Sequence, residues 1–196
     1  KIISTVHTPF RKSGGLKHLK GNLGTAIIKT SALSPERYVV EAPVKIFIDQ
    51  KSVKEAFRNN EFKSDVIIVV RFQGPKANGM PELHSLIPIA MVLQDKGFKV
   101  GILTDGRMSG ASGKVPSAIH LSPEAASDGP LTRLRDGDIV KIDANNGSIS
   151  VLCDDIDSRT PQKFDLSKNH NGFGREMFNI FRKTVNSASE GATTIF

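Results

Sequence analysis

Lys99-Val-Gly-Ile-Leu-Thr-Asp-Gly-Arg-Met-Ser-Gly-Ala-Ser-Gly-Lys114 changes character halfway along. Val100 to Leu103 is a short apolar run that reads as a buried strand, and it stops at Thr104-Asp105-Gly106. The rest holds Gly106, Gly110 and Gly113 among Arg107, Ser109, Ser112 and Lys114. Glycine lets the backbone approach a ligand closely and take positive φ. Ligands of open α/β sheets gather beyond the carboxyl ends of strands. The stretch is read as a strand feeding a site loop, with a plain surface turn as the alternative.

Working outward, Asp65-Val-Ile-Ile-Val-Val-Arg71 is an unbroken apolar run, mostly β-branched, which predicts a central strand buried on both faces. It opens into a second Gly- and Pro-containing loop, Phe72 to Glu82. From Pro81 the pattern turns helical, with Leu83, Leu86, Ile87, Ala90 and Met91 at three-four spacing. Pro81 suits the first turn and Gly97 the position past the end, while Pro88 is expected to kink or divide the helix. Asp49 can cap a helix from Lys51 to about Asn59 carrying Val53, Ala56 and Phe57. Thr25 to Lys29 reads as a short strand, and Tyr38 to Phe47 as β-rich with Pro43 marking an edge or bulge. Ile139–Asp143 and Ser148–Leu152 flank Asn146-Gly147, a hairpin signal. Gly174 to about Val185 is expected to form a last amphipathic helix with Met177, Phe178, Phe181 and Val185 on one face. The order is mixed α/β: strand, helix, strand, helix, strand, plus hairpins.

Composition narrows the function. The chain has 196 residues, enough for one domain with a real core, and its 38% hydrophobic and 24% charged content is that of an ordinary globular protein. No apolar run approaches the roughly 18 residues that span a bilayer. No signal peptide is visible either, since Lys1-Ile-Ile-Ser leads at once to His7, Pro9, Arg11 and Lys12. A cytoplasmic location without membrane association is expected. The chain lacks an initiator Met, which predicts a piece of something longer. Cys153 stands alone, so no internal disulfide forms and no metal cluster is held by this chain itself. The net charge is +7, and before Glu36 there are six basic residues and no acidic one. With one Tyr and no Trp, stacking platforms for nucleic acid are missing, so a small anion is favoured over nucleic acid as the partner.

Familiar chemical motifs fail. A phosphate loop of the Gly-x4-Gly-Lys-[Ser/Thr] kind would need glycine where Met108 stands and a hydroxyl where Val115 stands. Gly172-Phe-Gly174 lacks its third glycine, since Met177 occupies that place. The histidines (His7, His18, His84, His120, His170) have no metal-ligand spacing. Neither Ser109 nor Ser112 sits in a Gly-x-Ser-x-Gly elbow. What remains is a pair of loops, each after a buried strand, one carrying Glu82 and the other Asp105, Arg107, Ser109 and Lys114. Adjacent parallel strands would bring both tips to one rim.

Longer motifs point further. Gly-Gly-Leu (14–16), Lys-Gly-Asn-Leu-Gly (20–24), Gly-Pro-Lys-Ala-Asn-Gly-Met-Pro-Glu (74–82), Thr-Asp-Gly-Arg-Met-Ser-Gly (104–110) and Ser-Pro-Glu-Ala (122–125) resemble the dihydroxy-acid dehydratase / 6-phosphogluconate dehydratase family, in the order found in its C-terminal domain. Gly-Ala-Ser-Gly-Lys-Val-Pro-Ser-Ala-Ile-His120, Gly-Arg-Glu-Met-Phe178 and the closing Glu-Gly-Ala-Thr-Thr-Ile-Phe196 resemble the branch acting on 6-phosphogluconate.

The resemblance implies a swivelling β/β/α layered domain with a barrel-like mixed sheet over residues 1–196. It implies an N-terminal iron–sulfur domain absent from this chain, and inactivity of this part alone. The implied reaction is dehydration of 6-phospho-D-gluconate to 2-dehydro-3-deoxy-6-phospho-D-gluconate in the Entner–Doudoroff pathway. The alternatives are dehydration of another sugar acid or dihydroxy acid, or a non-catalytic anion-binding domain. Implied cofactors are an iron–sulfur cluster, its ligands elsewhere, and Mg²⁺ reached by Glu82, a hard oxygen ligand. Ser109 corresponds to the serine proposed as the base at C2, a role that needs a cation and backbone N–H groups beside it. Arg107, Lys114 and Asp105 are candidate substrate contacts, although Arg107 equally suits bracing its loop through Asp105. His120 and His84 are read as structural. Lys12, Lys17 and Lys20 are candidates for the 6-phosphate, with a solvated basic face as the alternative. The parent enzyme is expected to be a homodimer.

Overall fold

In the computed structural model, residues 3–10, 13–109 and 113–195 are described. Eight strands close into a mixed barrel: β1 (Leu16–Gly21), β2 (Gly24–Lys29), β3 (Val39–Phe47), β4 (Val66–Val70), β5 (Val100–Thr104), β6 (Ser117–Ser122), β7 (Ile139–Asp143) and β8 (Ser148–Val151). The order around it is β1-β2-β6-β5-β4-β3-β7-β8. Strands β3, β4, β5 and β6 run parallel to one another, and a parallel pairing of Lys20 with Ser148 closes the seam between β1 and β8.

The apolar run of β4 is buried throughout, as its composition predicts. Side chains alternate across a strand. Ile67 and Val69 enter the barrel interior with Leu19, Ile28, Val40, Leu103 and Ile142. Val66, Ile68 and Val70 face outward, under α1 (Gln50–Arg58) and α3 (Leu86–Asp95), whose Val53, Ala56, Leu86, Ala90 and Leu93 cover them. Full burial of one such aliphatic side chain stabilises by roughly 1.5–3 kcal/mol. The barrel closes around one core and carries a second between sheet and helices.

Asp49 caps α1 by accepting the Ser52 backbone N–H at 2.7 Å. Pro43 sits where β3 changes partner: Val39 to Pro43 pair with β7, and Val44 to Phe47 pair with β4. The missing proline N–H therefore falls at a switch point rather than at an open edge. The hairpin forms as expected, with Gly147 at φ +68°.

Three local expectations change. The helix foreseen from Pro81 begins only at Leu86, because Glu82 forms a parallel bridge with Arg107 and the Leu83 N–H is given to the Arg107 carbonyl. Pro88 thereby falls in the first turn of α3, where its lack of an N–H costs nothing and no division of the helix results. The last helix is short, α4 (Asn179–Thr184), with turns before it. On its expected apolar face only Val185 is buried, while Met177, Phe178 and Phe181 are exposed. No helix among the described residues is long and apolar enough to cross a membrane.

Candidate functional site

The parallel register of β4 and β5, with Val70 opposite Thr104, delivers both loops to the same end of the barrel. The first loop makes one short helix, α2 (Pro75–Asn78), ended by Gly79 in the left-handed region at φ +72°. It then runs back through Met80 to Glu82. The second loop passes alongside, and the two are stitched by side chain as well as backbone.

Glu82 is the centre of the stitching. Its Oε1 accepts the Ser109 backbone N–H at 2.6 Å, and its Oε2 accepts a charge-assisted bond from Arg107 Nη1 at 2.9 Å. Arg107 Nε also donates to the Met80 carbonyl at 2.9 Å. The Glu82 and Ser109 positions therefore lie side by side, with Ser109 and Arg107 exposed and Glu82 half-buried. Arg107 braces the loop through Glu82, not through Asp105.

Asp105, expected as a candidate substrate contact, lies beneath the two loops. It is fully buried. Its carboxylate accepts backbone N–H groups from Gln73 at 2.9 Å, Phe72 at 3.2 Å and Ala125 at 2.9 Å. One side chain thus ties the segments that follow β4, β5 and β6. Burial pushes its pKa up to about 6; the N–H bonds from Gln73 and Ala125 oppose this and the nearby Glu124 charge adds to it. Gly106 is required next to it, since an added Cβ would stand 2.8 Å from Gln73 Cβ.

Glu124 plays a matching part that sequence reasoning missed. Buried, it accepts the N–H groups of Lys76 and Ala77 at the start of α2, at 2.9 and 3.0 Å. Its signal was present in Ser-Pro-Glu-Ala, but nothing local says which backbone a carboxylate will meet.

The remaining candidates are less central. Lys114 is exposed, and its carbonyl accepts from Arg37 Nη1 at 3.3 Å. His120 is half-buried with φ +57°, and its N–H goes to the Gly106 carbonyl; burial and then the Arg107 charge hold its imidazole pKa below the ordinary value. His84 is exposed ahead of α3 rather than packed at its start. Lys17 Nζ donates to the Asn145 carbonyl at 3.2 Å, on the β7–β8 turn. Lys12, Gly110 and Ser112 lie outside the described residues.

A cavity of about 780 Å³ opens beside the stitched loops. Asn78, Gly79, Met80 and Arg107 line one side, and Arg175, Phe178, Phe181, Arg182 and Thr193 line another. Arg175 and Arg182 were not foreseen as site residues. They belong to a stretch whose pattern reads as an amphipathic helix, so its cations looked like a solvated face.

The donors present limit which metal groups fit. Each Glu82 oxygen has one N–H bond and keeps lone-pair capacity, so this carboxylate suits a single Mg²⁺ contact. No group of three or more His, Cys, Asp or Glu able to hold a metal occurs among the described residues. An iron–sulfur cluster does not fit this chain, since Cys153 is its one thiol and burial pushes that thiol pKa up, against thiolate formation.

Comparison with known proteins agrees with the motifs. A family model described as Dihydroxy-acid/6-phosphogluconate dehydratase C-terminal matches residues 1–192. The chain is 54% identical to a phosphogluconate dehydratase of Rhizobium meliloti (strain 1021), over 100% of this chain and 33% of that protein. It is 48% identical to a phosphogluconate dehydratase of Escherichia coli (strain K12), over 99% of this chain and 32% of that protein. A dihydroxy-acid dehydratase of Methanobrevibacter smithii is 35% identical, over 97% of this chain and 34% of that protein. The chain spans about a third of the length of the curated relatives it matches.

Proposed function

The chain belongs to the dihydroxy-acid/6-phosphogluconate dehydratase family, and on that premise we infer that it is the C-terminal part of a hydro-lyase acting on 6-phospho-D-gluconate. The product is 2-dehydro-3-deoxy-6-phospho-D-gluconate, which places the parent enzyme in the Entner–Doudoroff pathway of sugar-acid metabolism. The observation that carries the reading is the joining of Glu82 to the Ser109 N–H at 2.6 Å and to Arg107, which lines a cavity together with Arg175 and Arg182. Identity of 48–54% to phosphogluconate dehydratases, against 35% to a dihydroxy-acid dehydratase, supports the phosphorylated substrate over a dihydroxy acid.

The reaction takes the proton from C2, breaks the C3–O bond with loss of water, and leaves an enol that tautomerises to the 2-oxo acid. Ser109 Oγ is the base for the C2 proton. A serine hydroxyl does this only when positive charge lowers the cost of its alkoxide, and Arg107 stands in the same hydrogen-bonded group. Glu82 orients the Ser109 backbone and offers an oxygen to Mg²⁺. A bound Mg²⁺ supplies charge stabilisation for the developing enolate-like carboxylate. Cluster ligands belong to the part of the relatives' length that this chain does not span. That part, as an N-terminal domain, covers the rim. The parent enzyme is cytoplasmic and homodimeric; light scattering that shows only monomer removes the second point.

In the full-length enzyme, Ser109→Ala lowers kcat by about 10²–10⁴-fold with little change in KM, the usual contribution of a positioned base. Glu82→Gln raises the Mg²⁺ concentration needed for half-maximal turnover. Turnover unchanged by both substitutions leaves only an anion-binding role. Equal kcat/KM for gluconate and its 6-phosphate rejects the substrate named here.

A further inference from the structure

Arg175 and Arg182 line the cavity next to Arg107, yet among the described residues only Arg107 of the three has a carboxylate partner. Arg175 is held in place by neutral acceptors, its Nε donating to the Asn169 carbonyl at 2.6 Å and its Nη2 to Asn78 Oδ1 at 2.7 Å. Arg182 is 7% exposed, its Nη2 reaching the Arg175 carbonyl at 3.1 Å. Its Nε is buried with no hydrogen-bond partner. Burial of a guanidinium without a counter-charge is costly, and a buried donor left unmade costs more. Burial and then the charge of Arg175 both push the Arg182 pKa below its ordinary value.

The arrangement is out of balance as it stands. A surface cation needs no partner, but Arg182 is not at the surface. Placing two like charges along one apolar wall, with Phe178 and Phe181 beside them, stabilises nothing by itself. Both the charge and the unmet donor are answered by an anion with several acceptor oxygens. A guanidinium carries five N–H donors in a planar fork that matches phosphate geometry. The apolar wall lowers the local dielectric and strengthens that pairing.

We propose that Arg175 and Arg182 form the subsite for the phosphate group of the substrate, holding its dianion in the cavity that Arg107 also lines. The anion class follows from the arginines; its identity as the 6-phosphate rests on the activity inferred above. The subsite separates binding of the phosphate from chemistry at C2 and C3. It also discriminates a phosphorylated sugar acid from its unphosphorylated parent.

The test uses the full-length enzyme and equilibrium dialysis with inorganic phosphate, alongside steady-state kinetics with 6-phosphogluconate and gluconate. Arg175→Gln and Arg182→Gln each weaken inorganic phosphate binding and raise KM for 6-phosphogluconate by about 10- to 100-fold, the loss of one charge-assisted pair. The accompanying fall in kcat is far smaller, and the kinetics with gluconate stay within about twofold. Arg182→Lys keeps the charge but not the fork, gives an intermediate loss, and stands in if Arg182→Gln does not fold. Phosphate affinity unchanged in folded variants, or absent in the wild-type enzyme, overturns the subsite. Dehydration of 6-phosphogluconate with KM untouched by either variant overturns the subsite and leaves the activity standing. Arginine-dependent phosphate binding by an enzyme that does not dehydrate 6-phosphogluconate sinks the activity and keeps the subsite.

Discussion

Burial pushes the Asp105 carboxyl up to about 6, so its proton leaves the folded protein less readily than it leaves the unfolded chain, whose carboxyl titrates near 3.8. Between those values the native state binds more protons than the unfolded state, so the contribution of Asp105 to stability falls as pH rises through the window. A shift of about two units corresponds to roughly 3 kcal/mol. Glu124 faces Asp105 and Arg71 lies near enough to feel its charge, so both shape the titration. Replacing Asp105 by Asn removes the titrating group. The stability of wild type relative to Asp105→Asn, from urea unfolding, therefore drops by roughly 2 kcal/mol between pH 4 and pH 7. A pH-independent difference contradicts the burial argument. The inward position of Asp105 was not legible in the sequence. A polar residue in a glycine loop looks alike in sequence whether it faces a ligand or the backbone of two other loops. For Glu82 and Ser109, by contrast, the two loops and the strands before them were legible, and parallel pairing alone sufficed to bring the positions together.

Strands with unmistakable composition were readable at the level of the element: β4, β5 and the β7–β8 hairpin carry their burial in consecutive residues. β1 and β6 were not. Their burial is mixed, and each is a strand because the barrel offers it partners on both sides. α3 was misjudged at its start because a bridge to Arg107 competes with the helix for the Glu82–Leu83 backbone. The seam between β1 and β8 makes a sharp demand on one residue. A Cβ on Gly21 would lie 1.8 Å from the Ile149 carbonyl oxygen, whereas one on Gly14 meets nothing within 4 Å. Gly21→Ala therefore destabilises by about 1–3 kcal/mol, the range for overpacking, while Gly14→Ala stays within about 0.5 kcal/mol. Urea melts of the two variants separate the cases, and equal stability would place the strain of closure elsewhere.

Across the whole molecule, exposed apolar side chains gather at the cavity: Phe173, Phe178, Phe181 and Ile195 line it and are exposed. Exposed apolar side chains gathered at one cavity suit contact with another protein surface. In solution on its own the chain self-associates as its concentration rises, and Phe178→Ser with Phe181→Ser lowers the mean mass seen by light scattering. A concentration-independent monomer mass for the unsubstituted chain refutes this. The sequence by itself determined the mixed α/β class, the buried strands, the cap at Asp49, the hairpin and the family motifs, because each is written in residues close together in the chain. Only the tertiary structure decided that the sheet closes, that Asp105 turns inward, and that Arg175 and Arg182 join Arg107 around one cavity. Periodicity reports how much a side chain is buried; which backbone or charge it meets there depends on segments brought together only by folding.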